Sequence, residues 1–265
     1  MTATASSPKL RVDTRGTNEL PPHLDENLLT PRFYVTEFKK AAKTELTDAR
    51  EEFEAMLSEM KADYNCTHFD RKASLDRLQE LPQKAKETYE SYLVRSVISE
   101  FSGFLLFKEI SNRLKKEGNR DLGKLFQFLA RDEARHAGFL SRALVAEGIE
   151  VDLPHLGGKR AATWFPISWV IYSVYLSEKI GYWRYILMDR HLKANPDQAF
   201  APLFDFFEPW CQDENRHGDC FTVMMRCWPG ITKGFRGKLL SRFFLWSVFL
   251  TPVSYTHLTL PTKQM

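Results

Sequence analysis

The pentapeptides Asp132-Glu133-Ala134-Arg135-His136 and Asp213-Glu214-Asn215-Arg216-His217 are one string written twice, differing only at the third position. Each sets a Glu and a His three residues apart, a spacing at which two side chains leave the same side of an α-helix. The flanking residues say which side. Around the second copy, Leu203, Phe207, Trp210, Glu214, His217, Phe221, Met224 and Trp228 follow alternating steps of four and three. Around the first, Leu122, Phe126, Leu129, Glu133, His136 and Leu140 do nearly the same. Both are inward stripes of helices, apolar except for the Glu and the His. An unpaired charge on a core face costs several kcal/mol, so each pair requires compensation.

The other half of the compensation lies upstream of each copy. Ser99-Glu100-Phe101-Ser102-Gly103-Phe104 parallels Ser177-Glu178-Lys179-Ile180-Gly181-Tyr182, both reading S-E-x-x-G-aromatic. Glu100 belongs to the stripe Leu93, Val97, Phe104, Phe107, and Glu178 to Ile171, Val174, Tyr182, Tyr185. The intervals from Glu100 to Glu133 and from Glu178 to Glu214 are 33 and 36 residues, and their midpoints fall at turn signals, Glu117-Gly118-Asn119 and Asn195-Pro196-Asp197. Two helical hairpins follow, with helices expected at about 86–116, 121–147, 163–194 and 197–227, and each Glu level with its Glu-x-x-His. Period-two strand patterns are nearly absent. The fold class expected is all-α, a ferritin-like four-helix bundle with additional N- and C-terminal helices, the former between Pro31 and about Cys66.

Composition narrows the function. At 265 residues, 43% hydrophobic, with 20 Phe and 6 Trp, the chain buries a full core. A net charge of only +3 gives no electrostatic case for nucleic acid. The four cysteines form no C-x-x-C pair and read as reduced packing residues. Residues 1–32 read as a mobile arm and 33–252 as the helical domain. The stretch 233–250 mixes Lys233, Arg236, Lys238 and Arg242 with Phe243, Phe244, Trp246 and Phe249; too short to span a bilayer, it suits peripheral membrane contact, with packing on the bundle as the rival.

Four glutamates and two histidines converging in a bundle are the ligand set of carboxylate-bridged di-metal proteins: Glu100, Glu133, His136, Glu178, Glu214 and His217. Hard oxygens with two nitrogens and no thiolate suit iron or manganese rather than a structural zinc site. Asp132 and Asp213 are placed to accept the second N–H of a ligating His, paired in turn with Arg135 and Arg216. Glu109, nine residues and two and a half turns from Glu100, points to the opposite face, where Arg113 supplies an ion pair.

These motifs resemble the di-iron oxygen-activating superfamily of acyl carrier protein desaturases, ribonucleotide reductase small subunits and rubrerythrins. More closely, NELPPHLDENLLTPRFYVTEF, FLARDEARHAGFL and FEPWCQDENRHGDCF resemble the aerobic (oxidative) magnesium-protoporphyrin IX monomethyl ester cyclase family, from about residue 18 to 252. The resemblance implies two iron ions, O₂ as co-substrate, NADPH-derived electrons through a ferredoxin-type donor, an accessory cyclase subunit, and a magnesium-porphyrin ester whose side chain is oxidised and closed into the isocyclic ring of divinyl protochlorophyllide. Family members extend well past this chain, whose last residues, Val253–Met265, depart from their pattern as an unrelated tail. The N-terminus lacks an Arg/Ser-rich transit segment, which points to the cytoplasm and photosynthetic membrane of a phototrophic bacterium. The alternatives sharing the di-iron motif are an acyl desaturase and a ferroxidase or rubrerythrin-like iron protein.

Overall fold

The computed structural model describes residues 10–12, 24, 32–43, 45, 49–69, 72–77, 79–159, 161–227 and 229–250. Four long helices make the bundle: α3 (Gln83–Lys116), α4 (Arg120–Ala146), α6 (Ile167–Ala194) and α7 (Phe207–Cys227). Before them lie α1 (Phe38–Ala42) and α2 (Arg50–Ala62), between the hairpins the short α5 (Leu153–Gly158), and after them α8 (Pro229–Thr232) and α9 (Gly234–Leu250). The first hairpin turns at Gly118, whose φ of +96° a Cβ would strain, and Asn119 caps α4 by accepting from the Leu122 amide at 3.0 Å.

Two helix starts differ from expectation, for one reason. The residue before a proline is pushed to extended backbone. Ala201, before Pro202, sits at φ −141°, ψ 138°, so the region expected to begin the fourth helix at 197 holds two 3-10 turns (Pro196–Gln198, Pro202–Phe206), and α7 begins only at Phe207. Pro166 likewise delays α6 to Ile167, and Thr163 and Trp164, expected to open that helix, belong to strand β4 (Ala161–Trp164). The helix expected between Pro31 and Cys66 is strand β2 (Arg32–Val35), α1 and α2. β2 pairs in parallel with β4, and β1 (Leu10–Val12) in parallel with β3 (Ile149–Val151). Of the arm expected at 1–32, β1, the buried Leu24 and Arg32 are described. Trp228 and the tail from 253 lie outside the described residues.

The apolar interior is two clusters rather than one. Leu106, Phe107, Leu122, Phe126, Val170, Ile171, Phe221 and Met224 form part of one, joining the turn of the first hairpin to the open end of the second. Leu93, Val97, Leu140, Leu144, Tyr185, Leu203, Phe207 and Trp210 belong to the other, which joins the opposite ends. The hairpin turns therefore lie at opposite ends of the bundle. Between the clusters runs a layer of buried polar side chains.

Candidate metal centre

All six sequence-predicted ligand positions fall in that layer. Each helix contributes through the stripe that also supplies its apolar contacts, so packing the stripes on one another delivers the polar groups to the centre. Glu100, Glu133, Glu178 and Glu214 are 4–7% exposed, and His136 and His217 are 0% exposed. Single donor atoms of Glu100, Glu133, His136 and Glu214 lie within 4.8 Å of one another, and so do those of Glu133, Glu178 and His217. Glu133 is common to both groups.

The two halves repeat one geometry. His136 Nδ1 faces Glu100 Oε2 at 3.3 Å and Glu214 Oε1 at 3.6 Å. His217 Nδ1 faces Glu178 Oε2 at 3.1 Å and Glu133 Oε1 at 3.2 Å. The far nitrogens cross between hairpins: His136 Nε2 lies 3.0 Å from Asp213 Oδ2, and His217 Nε2 lies 3.6 Å from Asp132 Oδ2. Each aspartate thus orients the histidine of the other hairpin, which adjacency in sequence does not reveal. Arg216 pairs with Asp213, and Arg135 Nη1 lies 3.6 Å from Asp132.

The glycine of S-E-x-x-G has a steric reason. A Cβ built on Gly103 would stand 2.4 Å from Glu133 Oε2, and one on Gly181 would stand 2.7 Å from Glu214 Oε2. In each hairpin the glycine sits one turn past its own glutamate and leaves the space into which the facing glutamate reaches. The cradle is built for those carboxylates.

Electrostatics show what the layer demands. Burial, reinforced by repulsion from Glu100 and Glu178, holds the Glu133 and Glu214 carboxyls well above the usual range. Burial also works against Glu100, but the hydrogen bond and charge of His136 outweigh it and leave that carboxyl low. Burial would depress both imidazoles; hydrogen bonds to Asp213 and Glu100 raise His136, and those to Asp132, Glu133 and Glu178 raise His217, well above the ordinary value. Asp132 and Asp213 are low despite burial, chiefly through His217 and His136 respectively. Four carboxylates crowd into a dry layer, and repulsion there leaves Glu133 and Glu214 holding protons. Two divalent cations would cancel the formal charge of four ionised glutamates and satisfy hard oxygen and imidazole donors, so the residues fit a pair of such ions.

Sequence reading missed several supports. Asp63, in the left-handed region at φ +54° as the C-cap of α2, accepts both guanidinium nitrogens of Arg135 at 3.0 and 2.9 Å. Two residues on, Asn65 donates to Asp213 Oδ1 at 2.8 Å and to the Pro209 carbonyl at 2.9 Å. One short segment therefore pins the aspartates' surroundings on both hairpins. Arg131 Nε binds Asp132 at 2.8 Å. Trp210 Nε1 donates to Glu214 at 3.0 Å, and Tyr185 Oη to Glu100 at 3.1 Å. Trp210 carried a signal, being one turn before Glu214 in the same stripe; Asp63 and Asn65, in a loop, carried none. Glu109 lies apart, its ion pair with Arg113 at 2.8 Å and the two side chains 31% and 52% exposed. His155 lies on α5 and His191 contacts Gln198 at 2.8 Å. Cys211, Cys220 and Cys227 are buried, whereas Cys66 is exposed.

Comparison with known proteins adds an independent line. The rubrerythrin family model matches residues 91–225, the segment holding all six positions. A magnesium-protoporphyrin IX monomethyl ester [oxidative] cyclase of Prochlorococcus marinus strain MIT 9313 is 76% identical over 252 residues, 95% of this chain and 72% of that protein. One of the same name from strain SARG is 78% identical over 236 residues, 89% of this chain and 68% of the relative. A Thermosynechococcus vestitus cyclase 2 is 52% identical over 233 residues, covering 88% and 66%. No solved structure matches the chain.

Proposed function

The chain belongs to the magnesium-protoporphyrin IX monomethyl ester oxidative cyclase family, and from that premise we propose that it closes the isocyclic ring of a magnesium-porphyrin ester in an O₂-dependent reaction at a di-iron centre. The observation that supports this most is the convergence of two Glu and two Glu-x-x-His units in one buried layer. In this reading Glu100, Glu133, His136, Glu178, Glu214 and His217 would hold the two ions. When bound, the ions would supply a site where O₂ is reduced by electrons from outside and the side chain is oxidised.

The protein's own groups have distinct tasks. Asp213 accepts from the far nitrogen of His136 at 3.0 Å, and Asp132 stands 3.6 Å from that of His217, an arrangement that turns both Nδ1 atoms toward the carboxylates. Tyr185 and Trp210 each donate to one glutamate oxygen, limiting how Glu100 and Glu214 swing. The apolar clusters above and below exclude water from reactive species. Substrate oxidation proceeds by hydroxylation of the methyl-propionate side chain, oxidation to the ketone and closure onto the macrocycle. Each of these three two-electron oxidations consumes one O₂, two external electrons and two protons; hydroxylation releases one water, while ketone formation and ring closure, which remove two hydrogens each, release two. NADPH through a ferredoxin-type donor supplies the electrons, and an accessory cyclase subunit completes the system.

Membrane contact is part of the proposal. Among the described residues no helix is long and apolar enough to cross a membrane. α9 packs Phe244 on Tyr172 at 5.1 Å and on Trp169 at 5.6 Å, yet leaves Phe235, Leu239, Leu245 and Trp246 59–82% exposed. One side of α9 thus docks on the bundle, and the exposed apolar side supports contact with the headgroup region of a photosynthetic membrane. The test of function is anaerobic incubation of protein and ferrous iron with the porphyrin ester, then O₂ and reductant, and pigment analysis. Ring-closed pigment is expected; oxidation of an acyl chain instead would make this a desaturase, and iron uptake alone a ferroxidase.

A further inference from the structure

One stripe of α3 reads Tyr89, Tyr92, Ser96, Glu100, at steps of three, four and four, so a file of hydroxyls runs along the helix to a candidate iron ligand. Tyr89 and Ser96 are 4% and 1% exposed, and Tyr92 is mostly buried. The Tyr92 hydroxyl neighbours those of Ser96 and Tyr185. Even so, Tyr89 Oη, Tyr92 Oη and Ser96 Oγ make no hydrogen bond of proper geometry within the protein. Facing them from α6 is Arg184. Its guanidinium lies 4.6 Å from the Tyr185 ring centre and 5.8 Å from that of Tyr92, and Nη2 donates to Tyr185 Oη at 2.7 Å. Its buried Nε has no partner, and among the described residues it forms no salt bridge. Buried polar groups of this kind are ordinarily paired, and four together call for an explanation. All four can donate, the guanidinium can only donate, and burial keeps both tyrosines protonated. The cluster therefore selects an acceptor with negative charge.

Beside Arg184 the same helix exposes apolar side chains. Ile180, Trp183 and Leu187 are 48%, 54% and 57% exposed and share one arc with Arg184 by their i, i+3, i+4, i+7 spacing. We propose that Arg184, with the hydroxyls of Tyr92 and Ser96, binds the free carboxylate of the porphyrin substrate while the macrocycle lies against Ile180, Trp183 and Leu187. This rests on the cyclase reading above. The charge complementarity is direct: a monomethyl ester of protoporphyrin IX keeps one ionised propionate next to the esterified one. Anchoring the first beside Glu100 brings the second, the chain to be oxidised, toward the carboxylate layer.

The test is a Soret-band titration of the anaerobic, iron-loaded protein with magnesium-protoporphyrin IX monomethyl ester and, separately, the dimethyl ester, which has no free carboxylate. Wild type should prefer the monomethyl ester by at least about 10-fold. Arg184→Gln should abolish that preference while leaving dimethyl ester affinity unchanged. Tyr92→Phe keeps the ring and removes a hydroxyl that makes no hydrogen bond of proper geometry, and it should cut the preference about threefold. Trp183→Ala should weaken both esters alike, about fivefold. Equal binding of the two esters by wild type, or a preference that survives in both Arg184→Gln and Tyr92→Phe, overturns this inference alone and leaves those donors to solvent. Binding of neither ester overturns the cyclase reading with it.

Discussion

Gly103→Ala adds one carbon and two hydrogens to a protein of 265 residues, and it should cost the centre its iron. The new Cβ would stand 2.4 Å from Glu133 Oε2 and 2.9 Å from its Cδ, and ordinary contact begins at 3.4 Å. The carboxylate must therefore withdraw by about 1.0 Å. Ligand distances in metal sites hold to about 0.2 Å, so a retreat five times larger removes Glu133 from any shared position between two ions. The fold itself has no reason to suffer. Gly103 lies inside α3 with ordinary helical backbone, where alanine is better than glycine by about 1 kcal/mol. The variant should then melt, without metal, at or above the wild-type temperature while binding iron about 10- to 100-fold more weakly. Gly181→Ala makes the same experiment at Glu214 with a milder intrusion, 2.7 Å, and should lose less. Thermal unfolding of the metal-free proteins and iron per chain after equilibrium dialysis are the assays. Two tightly bound irons in Gly103→Ala would refute the steric reasoning, and a lower metal-free melting temperature would show that the glycine serves the fold instead.

Other outcomes follow from the same geometry. Glu100→Ala and Glu178→Ala should each lose bound iron, whereas Glu109→Ala should retain two and shift stability by no more than about 0.5 kcal/mol, as its pair with Arg113 is largely solvated; iron analysis of the three variants decides it. Asp213→Asn should weaken iron binding more than Asp132→Asn, because the contact to His136 is 3.0 Å and that to His217 is 3.6 Å. A reversed order by dialysis would count against the crossed pairing. The metal-free protein should lose stability as pH rises. Glu133, Glu214, His136 and His217 hold protons more tightly folded than unfolded, so their contribution is full below the ordinary values of 4.5 and 6.5 and fades as pH climbs through the raised ones. Glu100, Asp132 and Asp213 act oppositely, failing only in acid. Metal must displace those protons, so iron affinity should climb over the same range; melting curves with and without ferrous iron between about pH 6 and 9 test both.

The parts of this protein visible in sequence are those governed by a period. Glu133 and His136 could be placed because Leu129 and Leu140 fix the phase of α4, and Glu100 could be told from Glu109 by two and a half turns. Helix limits were less visible where proline acts on its predecessor, as at Ala201 and Phe165. The strands β1–β4 are three or four residues long, too short for an alternation to register, and their partners are far away in the chain. Asp63 and Asn65 reach the centre from a loop in which one residue adopts left-handed backbone, a geometry set by tertiary contacts. The crossed Asp–His pairs depend on how the hairpins face each other, which repeat spacing within each hairpin leaves open.

The most direct test of the central claim follows the oxygen atom. The iron-loaded protein, with NADPH, a ferredoxin-type donor, an accessory subunit and magnesium-protoporphyrin IX monomethyl ester, should be supplied with ¹⁸O₂ in unlabelled water, and the ring-closed pigment analysed by mass. A di-iron oxygenase built on Glu100, Glu133, His136, Glu178, Glu214 and His217 predicts a pigment whose ring ketone carries the heavy isotope, and no such pigment from Glu100→Ala. Ring-closed pigment with its ketone oxygen drawn from water at the moment of formation, or undiminished product from Glu100→Ala, would contradict it.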